Sequence, residues 1–183
     1  MSDLIKQAPM SGATYTDLGP LKFGAWLPRV RDIRRVVLNM RELSAREAFA
    51  SRKDDDRDRL AREMCRLAPA ALFAFGTFIE HQGFVASALL GCHPVAPGVG
   101  TMLWLATDEW PAIAIPSHRF WRRHFLPQVL SRYRRVEFMG GTDEVSRRWC
   151  RSVGFTEEGT AYRYGKRGED FVHFAWLNPD WRS

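Results

Sequence analysis

The stretch VEFMGGTDEVSRRWCRSVGF, residues 136–155, decides the reading of this chain. It opens inside a strand, RVEFMG (135–140), where Val136 and Phe138 share one face and Glu137 takes the other, because successive side chains of a strand alternate. DEVSRRWCRSV (143–153) then reads as a helix. Gly154 follows it directly and suits a left-handed C-terminal cap, and Phe155 opens the next extended run.

Upstream, SHRFWRRHFLPQVLSRY (117–133) places Trp121, Phe125, Val129 and Tyr133 on one helical face. Pro127 lacks the donor for the preceding turn and is expected to break or kink that helix. A loop holding Pro111 and Pro116 is expected before it, preceded by the strand TMLWLAT (101–107). LFAFGTFI and FVASALLG form a hairpin around Glu80–Gly83, joined to TMLWLAT by the Pro- and Gly-rich link HPVAPGVG. In the N-terminal third, Val30, Ile33, Val37 and Met40 fall at helical spacing behind Pro28, which is comfortable in a first helical turn. Ser44 and Glu47 have the spacing of a capping box, which predicts a second helix from Ala45. A third spans Asp56 to Leu67. At the C-terminus EGTAYRY and DFVHFAWL form a hairpin through Gly165–Gly168.

Helices, a β meander, then helix, strand, helix and hairpin define an α+β domain with one mixed central sheet flanked by helices, over residues 21–183. Residues 1–20 read as a flexible N-terminal arm, held only if a partner holds it. The sequence has 183 residues, enough for one domain with a sizeable core. No apolar run approaches the roughly 18 residues of a membrane span, and the first residues lack the cationic and apolar regions of a secretory signal. Three cysteines, Cys65, Cys92 and Cys150, are odd in number and far apart, which argues against a disulfide framework. His93, His124 and His173 have no HExxH or CxxC companions, so no metal site is expected. The charge excess of +6 is mostly arginine, in clusters that read as solvated helix faces, a phosphate-bearing ligand site or, third, a nucleic-acid surface.

With the layout and the text of 136–177 in place, the chain resembles the GNAT superfamily of acyl-CoA N-acyltransferases. Members often show Asn, a small residue, Tyr and then Gly-Phe across the helix before the next strand; Asp143, Ser146, Cys150 and Gly154-Phe155 stand there. The text of VVLNMRELSAREAFA (36–50), GTMLWLATDEWP (100–111) and RRWCRSVGF with YGKRGEDFVHFAW resembles a phage-encoded branch that includes internal virion or head-assembly proteins of short-tailed phages. The resemblance covers roughly residues 21–177. It implies a groove for the acyl-CoA arm where the central strands splay apart. It also implies a glycine loop, Q/R-x-x-G-x-G/A, whose backbone N–H groups hold the pyrophosphate at a helix start.

The chain departs from that pattern. After TMLWLAT it reads DEWPAIAIPSHRFWRR, with no glycine between Gly100 and Gly140, two carboxylates, Asp108 and Glu109, where phosphate would lie, and two prolines. Cys150 stands where a tyrosine often protonates the departing thiolate. A thiol can donate, though it more often packs as a small hydrophobe. Glu137 is the candidate base if its face is a buried cleft; otherwise it is a surface carboxylate paired with a neighbouring arginine. Glu80 and His81 read as turn residues. A remaining anion site combines Thr107 at the strand end with a helix start at Ser117 and the guanidinium groups of Arg119, Arg122 and Arg123.

Two functional expectations follow. The first is a catalytically degraded GNAT-like protein that acts by binding other phage virion or host proteins, in the virion or host cytoplasm, with a homo-oligomer compatible with it. The second is an active acetyl-CoA-dependent N-acetyltransferase with an atypical pyrophosphate loop. Trp26, Trp110 and Trp181, expected in loop or tail contexts, together with the arginines suit a protein interface.

Overall fold

The computed structural model describes residues 21–25, 30–68, 73–79 and 85–180. The expected arm 1–20, the turn with Glu80 and His81, Trp26 and Trp181 lie outside the described residues. In chain order the elements are β1 (Leu21–Ala25), α1 (Val30–Leu38), α2 (Glu42–Ala50), α3 (Arg57–Leu67), β2 (Phe73–Ile79), β3 (Val85–Ala96), β4 (Val99–Ala106), α4 (Trp110–Phe120), α5 (Leu126–Leu130), β5 (Arg135–Gly141), α6 (Glu144–Ser152), β6 (Thr156–Ala161) and β7 (Phe171–Leu177). The strands form one seven-stranded sheet, ordered β1-β2-β3-β4-β5-β7-β6. Every neighbouring pair is antiparallel except β4–β5, which is parallel.

That parallel pair positions everything that follows. Its register covers only Val99↔Arg135, Gly100↔Val136 and Thr101↔Glu137. Beyond Thr101 and Glu137 the strands part, and a wedge opens between the rest of β4 and the rest of β5.

Each face of the sheet has its own core. Trp121, Phe125, Val129, Tyr133, Cys150 and Val153 from α4–α6 and their flanks pack on Ala88, Leu90, Cys92, Met102, Val136 and Phe174. On the opposite face, Ile33, Val36, Val37, Leu60 and Met64 from α1 and α3 pack on Ala86, Leu89 and Leu105. The one-face pattern read at Trp121, Phe125, Val129 and Tyr133 is thus a buried stripe. The helix starts read near Asp56 and Asp143 are capped by those residues' own side chains. Asp56 caps α3 by accepting from Arg59 N–H at 3.0 Å, and Asp143 caps α6 by accepting from Ser146 N–H at 2.9 Å. Gly154 ends α6 at φ +107°, a conformation that favours glycine.

Four expectations are corrected. The link HPVAPGVG is no loop: β3 continues through Pro94 to Ala96, which pairs with Val99, and Pro97 and Gly98 (φ +71°) make a tight turn. Pro94, which lacks a donor, sits beside a register shift that absorbs it. The helix does not begin at Ser117 but at Trp110. Pro111 occupies its first turn, where no N–H is needed, and Pro116 lies inside it, where it offers no N–H to the carbonyl of solvent-exposed Ala112. Of the break or kink expected at Pro127, the break does not occur. Ahead of it, Trp121–Phe125 widens into a π-turn in which Leu126 N–H donates to Trp121 O. The wider turn makes room for the proline ring against the carbonyl four residues back. Finally, α2 begins at Glu42, with Arg41 as its cap, rather than at Ala45.

Among the described residues no helix is long and apolar enough to cross a membrane, and no cluster of His, Cys, Asp or Glu could hold a metal ion.

Candidate functional site

The capping-box reading of Ser44 and Glu47 fails for a physical reason that defines the site. Both side chains reach across to the parted strands instead of back to their own helix. Ser44 Oγ accepts from Ala106 N–H on β4 at 3.2 Å, and Glu47 Oε1 accepts from Gly141 N–H on β5 at 2.7 Å. Arg41 N–H donates to Ala106 O at 3.0 Å, and Met40 bridges to Thr107. One turn of α2 therefore spans the mouth of the wedge and satisfies backbone groups that the strands do not give each other.

Gly141 permits this approach. A Cβ there would lie 2.7 Å from Glu47 Oε1 and 3.4 Å from Asp143 Oδ2. The two carboxylates thus face the same small space, and Asp143 Oδ2 is buried without a hydrogen-bond partner. Burial raises the Glu47 carboxyl above its usual range. The hydrogen bond from Gly141 N–H opposes this, and the nearby Asp143 charge adds to it. Arg41, whose own pKa is lowered chiefly by burial, supplies the local positive charge and lies 5.6 Å over the Trp110 ring.

On the other side of the sheet, three indoles occupy the approach to the wedge between α4 and α6. Trp104 of β4 meets Trp149 of α6 edge-on at 3.8 Å between centroids, and Trp110 at the start of α4 lies 5.1 Å from Trp104 and 5.9 Å from Trp149. Trp110, expected in a loop, is instead a buried helix-start residue. Each pair in this cluster adds roughly 0.5–1.5 kcal/mol beyond its area burial.

The residues expected at the site fall as follows. Cys150 is buried, and its thiol is pushed up to about 12, first by burial and then by Glu47, Glu157 and Asp143. That is the state of a packed thiol, not of a ready acid. Glu137 is not in a buried cleft. Its half-exposed carboxylate accepts from Arg135 Nε at 2.6 Å, with His173 at 3.9 Å. The surface-pair alternative describes it. Thr107 is buried, with its hydroxyl between Ser87 O and the Glu109 carboxylate. Ser117 sits in the third turn of α4 rather than at a helix start, with its hydroxyl buried and without a partner. Arg119, Arg122 and Arg123 are exposed further along the same helix and π-turn. The helix start itself carries Asp108 and Glu109, and Glu109 pairs with Arg35 at 3.6 Å. Trp110 N–H is taken by Thr107 O and Pro111 has none, so the first turn presents carboxylates where an anion would need donors.

Sequence reasoning missed Glu47 and Arg41 as site residues. Their signal was Arg41, Ser44 and Glu47 at three-residue steps, which places them on one side of α2.

No family model matches the chain, and no curated protein matches it in sequence. Solved structures do. A probable GNAT-family acetyltransferase from Chromobacterium violaceum aligns at TM-score 0.61 with 18% identity, covering 90% of this chain and 91% of that one. A ribosomal-protein-S5-alanine acetyltransferase from Vibrio fischeri aligns at TM-score 0.59 with 14% identity, over 92% and 99% of the two chains. A ribosomal L7/L12 alpha-N-protein acetyltransferase in complex with coenzyme A aligns at TM-score 0.59 with 14% identity, over 88% and 96%. The chain therefore carries the α+β fold of GNAT acetyltransferases.

Proposed function

We propose that this chain is a GNAT-fold protein that has given up acyl transfer and works by binding a partner protein. The observation carrying this reading is the cluster of Trp104, Trp110 and Trp149, which fills the approach to the wedge that the resemblance assigns to an acyl-CoA arm. The start of α4 supports it, because Asp108, Glu109 and Pro111 stand where a pyrophosphate would need free N–H groups. The text shared with the phage-encoded branch favours a virion or head-assembly component, meeting other virion or host proteins.

Thermal unfolding with and without excess acetyl-CoA tests it, with ATP as the control for nonspecific anion binding. The expected result is no shift. A ligand present at a hundred times its Kd would add about 2.7 kcal/mol, a rise of roughly 5–10 °C at this size. A rise of that order with acetyl-CoA alone overturns the proposal.

One observation favours a second reading, an active acetyltransferase. Glu47 is a largely buried carboxylate, raised above its usual range, at the mouth of the wedge, which is how a general base is tuned toward neutral pH. On that reading acetyl-CoA would shift the melting temperature, and Glu47→Gln would abolish transfer to an amine while leaving the shift intact.

A further inference from the structure

We propose that the outer face of α4 and α6 docks an acidic segment of a partner protein that also carries aliphatic side chains. This goes beyond the binding reading above, and it stands whether or not the wedge admits acyl-CoA. α4 and the π-turn after it meet the C-terminal end of α6: His118 Nε2 donates to Ser152 O at 3.0 Å, and Trp121 Nε1 donates to Val153 O at 2.9 Å. Outward from that seam, α4 and the π-turn after it present Ile115, Arg119 and Arg122 at i, i+4 and i+7, while α6 presents Val145, Arg148 and Ser152 at i, i+3 and i+7. Ile115 is 67% exposed and Val145 79% exposed.

This face carries arginines that no local carboxylate balances, a condition shared by Arg62 and Arg66 on α3. Arg34, Arg52, Arg59, Arg147 and Arg151 each lie within salt-bridge distance of a carboxylate. Arg119, Arg122, Arg123 and Arg148 have no carboxylate partner among the described residues. Nor does the stretch that carries most of them offer one, since no Asp or Glu occurs from Trp110 to Val136. A guanidinium matches a carboxylate in a two-point fork, and Arg is enriched at protein interfaces. The choice of a protein over a nucleic acid rests on Ile115 and Val145, which a phosphate backbone cannot use. The partner is therefore a carboxylate-rich segment with aliphatic residues at helical or extended spacing.

The test is fluorescence anisotropy with a short labelled peptide of glutamates with leucines at helical spacing, beside a labelled duplex DNA of about two turns, at about 150 mM salt. We expect the peptide to bind and the duplex to bind more weakly. Arg119→Glu with Arg122→Glu should weaken the peptide at least tenfold, and the uncharged change Ile115→Ser should weaken the peptide but not the duplex. The same charge change on α3, Arg62→Glu with Arg66→Glu, should leave the peptide unaffected. These exposed sites should leave the melting temperature unchanged, which separates lost binding from lost folding. No peptide binding at millimolar protein, equal loss from the α3 pair, or tighter binding of the duplex each overturns the proposal.

Discussion

Replacing Glu47 in two ways separates its hydrogen bond from its charge. Glu47→Ala removes the acceptor of Gly141 N–H, which lies 2.7 Å from Oε1, and strands that donor at the wedge. Leaving this part-buried donor unpaired costs up to about 1–3 kcal/mol, a fall of roughly 2–12 °C in melting temperature for a chain of this length. Glu47→Gln keeps an oxygen for Gly141 N–H and turns an amide toward the space shared with Asp143 Oδ2, which lacks a donor. The charge sets the pH dependence. Because burial raises the folded pKa of Glu47 above its unfolded value, the folded state holds that proton more tightly. Stability contributed by the protonated form is present at low pH and is lost as pH rises through the folded pKa. Glu47→Gln should therefore match the wild type in acid, equal or exceed it at pH 7, and show the smaller fall between. Calorimetric melts of the three proteins across this range decide the matter. The reasoning fails if Glu47→Ala stays within about 0.5 kcal/mol of wild type, or if Glu47→Gln loses ground to the wild type as pH rises.

Other sites allow sharper checks of packing. Gly100→Ala should destabilise by about 1–3 kcal/mol in urea unfolding, because its Cβ would meet Cys92 Sγ at 2.7 Å and the Tyr133 ring at 2.9 Å, both buried; a neutral result would mean this contact gives way. Trp149→Ala should lose about 3 kcal/mol, and a loss under about 1 kcal/mol would show that the indoles are not packed as a unit. Thiol titration with a disulfide reagent at pH 8 should label Cys65 quickly and leave Cys92 and Cys150 protected until unfolding, since burial pushes both of the latter up to about 12. Rapid labelling of either would contradict their burial.

What the sequence made legible was local. The stripe Trp121, Phe125, Val129 and Tyr133, the helix starts near Asp56 and Asp143 and the glycine at 154 each depend on neighbours within a turn or two. Those signals, with the GNAT resemblance, were enough for the α+β architecture and its mixed sheet. The site was not local. Ser44 and Glu47 have the spacing of a capping box, but their partners, Ala106 and Gly141, lie 62 and 94 residues away, and no window of sequence contains both ends. Pro111 and Pro116 misled for a related reason. Proline was read as a breaker, whereas the first turn of α4 has no use for the N–H that Pro111 lacks and the exposed turn tolerates Pro116. The anion site expected at Ser117 fell with that boundary, since moving the helix start back to Trp110 carried Ser117 into the third turn.

Where two parallel strands part, their facing N–H and C=O groups must find other partners. An extended ligand arm is one solution. Here α2 supplies another through Ser44, Glu47 and the Arg41 backbone, while the indoles take up the volume. Admitting a ligand arm would require breaking the Ser44 and Glu47 bonds at about 1 kcal/mol each, and displacing Trp149 from two indoles at about 1 kcal/mol per contact. Together that is about 4 kcal/mol, or roughly a thousandfold in affinity at 1.4 kcal/mol per tenfold. A ligand of micromolar intrinsic affinity would then bind only near millimolar. The same arithmetic predicts that a Glu47→Ala, Trp149→Ala double variant, though less stable, should gain acetyl-CoA affinity relative to wild type in isothermal titration. If the double variant gains nothing, the obstacle lies at the start of α4, with Asp108, Glu109 and Pro111, and not in the wedge.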